Sequence, residues 1–209
     1  MPISVTPSSH RACARSALVH PLRSHTDGRA HTDGPARGCT VRTRARGTTI
    51  PFGRNSDGTA VSWDLASGRN LLVRRDERRS SPSVALDLIA MRVLTGGTHD
   101  LVVVDPHRRH PWLAGPGTLP EGSRRATTPE EIAQVVADLD SPVVGRPAVL
   151  LVADLAATVA LLDEEGRARL AAVVLASGER NLVCVATTAD TNPRWYPDGL
   201  IDAFGDLVV

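Results

Sequence analysis

Polar and apolar positions divide the chain near residue 48. Residues 1–48 show no amphipathic period; they are rich in Ser, Thr, Arg, Gly and His and carry an imperfect repeat, His25-Thr-Asp-Gly then His31-Thr-Asp-Gly. Such a stretch cannot bury enough apolar surface to offset its chain entropy, so a disordered tail is expected there. From residue 49 onward the pattern becomes that of a folded domain. Asn70–Val73 is a short apolar run that ends in an Arg-rich loop. Ser83–Leu94 places apolar residues at helical spacing, with Pro82 suited to the first turn and Gly96-Gly97 as the stop. Asp100–Asp105 is a continuous β-branched run, as in a strand buried on both faces of a parallel sheet, and Pro106 ends it.

The alternation then repeats. Thr128-Pro-Glu-Glu131 reads as a capping box with proline at the first helical position, predicting a helix to about Leu139. Pro147–Asp154 is a second buried strand, followed by an Ala/Leu-rich helix over roughly 163–176 that ends at Gly178. Asn181–Ala186 is the next strand, and Asp206–Val209 a short last one. Strands separated by helices imply βαβ units, hence an α/β fold with a mostly parallel, doubly wound sheet. Ligands of such sheets sit at the carboxyl ends of strands, which directs attention to the loops after Val73, Val104, Val152 and Ala186.

Composition narrows the chemistry. All 24 basic residues are Arg, and the chain has no lysine. Schiff-base catalysis and the phosphate-gripping lysine of a P-loop are therefore excluded. Aromatics are 3% of residues, so the core is aliphatic. Three cysteines far apart (Cys13, Cys39, Cys184) fit neither a disulfide scaffold nor a CxxC zinc site. No apolar stretch approaches the roughly 20 residues of a membrane span. Charge is segregated: residues 1–48 carry +6 and residues 49–209 carry −5. A basic tail has two readings, a contact with nucleic acid or anionic lipid and an inert extension. Its four histidines (His10, His20, His25, His31) are irregularly spaced and read as solvated loop.

Several segments, in order, resemble the FtsK/SpoIIIE-type motor ATPases, DNA translocases with relatives in conjugative transfer and type VII secretion. Ile50–Leu65 followed by Asn70–Val73 is similar to the approach to that family's P-loop. Leu101-Val-Val-Val-Asp-Pro-His107 is similar to its strand ending in Asp-Pro-Lys. Ala148–Leu155 falls at the Walker B position, and Leu182-Val-Cys-Val-Ala-Thr-Thr188 at its strand ending in Ala-Thr-Gln. The resemblance spans about residues 49–209 and implies a three-layer RecA-like P-loop NTPase core with helices on both faces of the sheet. It also implies ATP and Mg²⁺ as ligands, with DNA, a ring oligomer or motor-protein partners. The implied location is cytoplasmic, with recruitment to the membrane through partners. The chain ends where the family's domain normally continues, so a C-terminally truncated domain is expected.

The departures from the family fall on the chemistry. A P-loop wraps phosphates with glycine-rich backbone, grips them with lysine and holds Mg²⁺ through Ser or Thr. Here the corresponding stretch is Arg74–Ser83, which has no glycine, and Pro82 stands where the lysine would be if Ser83 is the Mg²⁺-side hydroxyl. Proline also removes a backbone donor. Asp154 is kept as a Mg²⁺ partner, but the family's following glutamate is Leu155. Loss of cradle, lysine and base together predicts little or no ATP hydrolysis.

The cluster Arg74, Arg75, Arg78 and Arg79 has three readings. It is a solvated, salt-bridged loop, or a set of guanidinium groups replacing the cradle, or a contact for a phosphate backbone or acidic partner. The phosphate-site reading takes in Arg74, Arg75, Arg78, Arg79, Ser81, Ser83, Asp154 and Thr187, with Ser83 and Asp154 as the metal side. His107 and His110 near Asp105 have two readings, a metal site and a surface loop; Arg108 and Arg109 beside them would repel a cation, so the surface loop is expected. Ser177, Thr187 and Thr188 lack the partners of a hydrolase triad. Cys184 lies in an apolar strand and reads as a core thiol. Trp63, Trp112 and Trp195 are too scattered for a base-stacking platform.

The sequence therefore points to a degenerate nucleotide-binding domain serving as a subunit or regulator of a DNA-translocation or secretion motor. Two alternatives stand beside it: an active translocase with an Arg-based phosphate site, and a decayed gene product without function.

Overall fold

A computed structural model describes residues 48–54, 57–74, 82–114 and 119–208. The chain divides into two units, Met1–Arg42 and Thr43–Val209, and every described residue belongs to the second. The expectations for the basic tail, Cys13, Cys39, Arg75, Arg78, Arg79 and Ser81 lie outside the described residues.

The described unit alternates strands and helices along the chain. A two-stranded antiparallel hairpin, β1 (Thr49–Arg54) and β2 (Ala60–Asp64), comes first. The remaining strands are β3 (Leu71–Arg74), β4 (Asp100–Val104), β5 (Arg124–Ala126), β6 (Ala148–Val152), β7 (Leu182–Thr188) and β8 (Asp206–Val208). They form one sheet in the order β5-β4-β6-β7-β3-β8, and every pairing in it is parallel. The helices are α1 (Pro82–Gly96), α2 (Pro129–Leu139), α3 (Leu155–Leu161) and α4 (Glu164–Leu175).

Strand pleating sorts side chains into two cores, because successive residues point to opposite faces. Val102, Val104, Leu150, Val152, Cys184 and Ala186 meet α2, α3 and α4 through Ile132, Val136, Leu155, Val159, Leu170 and Val174. Leu101, Val103, Val149, Leu151, Val183 and Val185 meet α1 through Leu86, Ile89, Ala90 and Val93, with Ile50, Trp63 and Leu65 of the hairpin region beside them. Strands buried on both faces need continuous apolar sequence, which is why β4, β6 and β7 lack polar alternation. Each fully buried Leu or Val contributes about 2 kcal/mol of transfer free energy, so these two layers dominate the stability.

Helix starts are set by short-range chemistry. The Thr128 hydroxyl accepts from the Glu131 amide, and the Glu131 carboxylate accepts from the Thr128 and Thr127 amides. Those two amide bonds hold the Glu131 carboxyl below its usual range. Asp163 caps α4 through the Gly166 amide at 2.7 Å, with Glu164 and Glu165 in the first turn. Both arrangements satisfy amides that a helix cannot pair internally. Ahead of β3, buried Asn70 is fully used. Its amide donates to the carbonyls of Val174 and Ala203, and its oxygen accepts from Ser177 Oγ and the Cys184 amide. One side chain thus ties the entry of β3 to the end of α4, to β7 and to the segment before β8.

Candidate functional site

In a parallel sheet all strands end on the same edge, so Arg74, Val104, Val152 and Thr188 lie at one rim. Val73 is in register with Thr187 and Arg74 with Thr188, while Val152 is in register with Ala186. β7 therefore stands between the strand that ends at Arg74 and the strand that leads to Asp154.

Asp154 follows β6 directly and caps α3. Its backbone adopts φ +84°, a left-handed conformation that non-glycine residues take at a cost, with Asp and Asn the most tolerant. Oδ1 accepts from the Ala157 amide at 3.0 Å. The Asp154 amide donates to Thr187 Oγ1 at 2.9 Å, and its carbonyl accepts from Thr158 Oγ1 at 2.9 Å. The second carboxylate oxygen, Oδ2, lies 3.3 Å from His107 Nε2. Oδ1 and both backbone polar atoms of Asp154 are thus hydrogen-bonded within the chain, and Oδ2 has His107 beside it. The next residue, Leu155, is fully buried in the core.

His107 reaches Asp154 because the turn after β4 is fastened. Asp105 is fully buried at the strand end. Its carboxylate accepts from the Arg109 amide at 2.9 Å, the His110 amide at 3.0 Å and the Arg125 guanidinium at 2.6 Å. The Asp105 carbonyl accepts from the Arg108 amide, and Arg108 takes φ +53° to close the turn. Burial acts to raise the Asp105 carboxyl, but the two amides and the guanidinium outweigh it and hold it below the ordinary range. Beyond the turn, His110 Nδ1 and Trp112 Nε1 both lie 2.7 Å from Asp87 Oδ1 on α1. A chain of polar contacts thereby runs from β5 through the turn to α1.

These placements bear out the surface-loop expectation at His107, exposed in the turn after β4, and correct it at His110. His110 is buried against Asp87, and His107, although half-exposed, faces the capping carboxylate. The other expected site residues are distributed as follows. Arg74 is exposed at the end of β3, with its guanidinium 3.5 Å from Thr191 Oγ1. Thr187 is buried and bonded to the Asp154 amide. Ser83 lies in the first turn of α1, and no hydrogen bond joins it to Asp154 among the described residues. Cys184 is a core thiol whose titration burial pushes up.

Sequence reasoning missed His107, because its partner is 47 positions away and only the sheet order brings the two strand ends together. The spacing Asp105-Pro-His107 was the available signal. A hydrated Mg²⁺ needs an open carboxylate oxygen and near-octahedral geometry. In Asp154, Oδ1 serves the α3 cap and Oδ2 has His107 Nε2 beside it. Among the described residues no group of three or more His, Cys, Asp or Glu side chains could hold a metal ion. A cavity of about 310 Å³ lined by Val159, Arg167, Arg194, Trp195 and Tyr196 lies beside α3 and α4, and its lining includes neither Asp154 nor Thr187. Two more, of about 300 and 500 Å³, open around Asp100 and Gly122 at the opposite end of β4. No described helix is long and apolar enough to cross a membrane.

No family model matches the chain, and no curated protein is similar to it in sequence. Solved structures do match. The cytoplasmic domain of the Thermomonospora curvata type VII secretion ATPase EccC aligns with a TM-score of 0.58 and 19% identity over 75% of this chain and 20% of that one. EssC (ATPases 2 and 3) from Geobacillus thermodenitrificans aligns at 0.56 and 15% over 79% of this chain and 33% of that one. The pCW3 conjugation coupling protein TcpA, in a monomer form with ATPγS, aligns at 0.50 and 14% over 75% and 52%. The chain spans between a fifth and about half of the length of these structures. Identities this low establish a common architecture: the described unit has the RecA-like α/β fold of the FtsK/SpoIIIE-type motor ATPases, as the sequence resemblance implied.

Proposed function

We propose that this chain is a non-hydrolysing member of the RecA-like motor fold that serves as a nucleotide-binding subunit or regulator of a secretion or DNA-transfer motor. The observation that carries the proposal is the engagement of Asp154. In a hydrolysing site, a carboxylate at this strand end holds the metal and its neighbour orients the attacking water. Here the carboxylate caps α3 and faces His107, and the neighbour is a buried leucine. The chain also has no lysine to neutralise transferred phosphate.

Arg74, exposed at the end of β3, begins the stretch Arg74–Ser83 that follows the strand. We assign phosphate recognition to its guanidinium groups (Arg74, Arg75, Arg78, Arg79) and to Ser81 and Ser83. Arginine suits this role because its planar fork meets phosphate oxygens in pairs. The kind of motor is taken from the structural neighbours: EccC is a secretion ATPase and TcpA a conjugation coupling protein. Turnover of Mg-ATP by the full chain tests the proposal. The expected rate equals that of buffer and is the same for Asp154→Ala; measurable turnover that Asp154→Ala abolishes would show an active motor with an unorthodox site.

A further inference from the structure

We infer that His107 occupies the place at which a divalent cation would approach Asp154, so that this carboxylate does not take metal. The inference deepens the reading given above for the same strand edge. It concerns the one carboxylate oxygen that the α3 cap leaves over. With Nε2 3.3 Å from Oδ2, the imidazole ring fills the space that a first-shell cation and its waters require.

The arrangement is held from both sides. Asp154 is fixed by the Ala157 and Thr187 bonds, so its carboxylate cannot swing away without giving up the cap. His107 is fixed by the turn that Asp105 closes through the Arg109 and His110 amides, and Asp105 is itself clamped by Arg125. A chance surface pair has no such support on either partner, and exposed ion pairs are individually weak.

Metal alone, without nucleotide, separates this inference from the proposal on which it rests. Mn²⁺ is titrated into the full chain, and free Mn²⁺ is read by electron paramagnetic resonance. Wild type and Asp154→Asn are expected to bind Mn²⁺ equally and weakly. His107→Ala is expected to gain a site at least about tenfold tighter, from opening of the Asp154 Oδ2 oxygen. That gain should vanish in the double variant with Asp154→Asn. Circular dichroism of each variant verifies that the fold is kept. If Asp154→Asn lowers Mn²⁺ binding by the otherwise unchanged chain, or if His107→Ala binds as wild type does, the inference is overturned.

Discussion

His107 Nε2 lies 3.3 Å from Asp154 Oδ2, which joins the turn after β4 to the cap of α3 across neighbouring strands. The pair sets an imidazole beside the carboxylate that follows β6. The same carboxylate follows β6, caps α3 and faces the histidine.

Replacing Asp154 separates capping from chemistry. Asn keeps an oxygen for the Ala157 amide and tolerates the left-handed backbone, whereas Ala loses the cap and strains at φ +84°. Asp154→Asn is expected to lie within about 0.5 kcal/mol of wild type, and Asp154→Ala to lose about 1–2 kcal/mol, in urea unfolding. Equal stability of Ala and Asn would mean that the cap contributes nothing.

Placing at position 155 the glutamate that the family resemblance implies should damage this chain. Leu155 is fully buried in the same core as Val159, Leu162 and Leu170. Leu155→Glu is expected to cost about 3 kcal/mol or more, through lost packing and a buried acid, without any gain in Mg-ATP turnover. A stable, hydrolysing Leu155→Glu chain would contradict the placement of this residue.

Acid sensitivity should trace to Asp105. Its carboxyl is depressed in the folded state, so the unfolded chain binds the extra proton. The stabilisation is present above the unfolded value of about 4 and is lost as pH falls through the lower folded value. Asp105→Asn offers one acceptor oxygen to three donors and sets an amide against another donor. The expected result in urea unfolding across pH is a loss of about 2–3 kcal/mol at neutral pH and a shallower decline below about pH 4. An acid limb as steep as that of wild type would assign the proton uptake elsewhere.

Much of this architecture is legible in the chain. The Thr128–Glu131 box marks the start of α2, and the apolar runs at 100–104, 148–152 and 182–186 mark strands buried on both faces. Local sequence suffices there because capping and double burial are local constraints. β5 escapes the same reading because Arg-Arg-Ala is a short edge strand whose arginines bond to Asp138 and Asp105. α3 is hidden because the Asp154 cap and the Asp163 cap break what reads as one strand exit and one helix. Asn70, Asp105 and His107 have partners that are distant in sequence, and no spacing rule can pair them. Arg74, Asp154 and Thr187 could be assigned to one rim from the strand order alone, yet what occupies the Asp154 oxygens is decided by the tertiary fold.

The most direct measurement is a crystal structure of the full chain grown with ATPγS and millimolar MgCl₂, read at Asp154. The account predicts Oδ2 still paired with His107, Oδ1 still on the Ala157 amide, and no metal bound to either oxygen. An octahedral Mg²⁺ about 2.1 Å from Asp154 Oδ2, with His107 turned away, would contradict it.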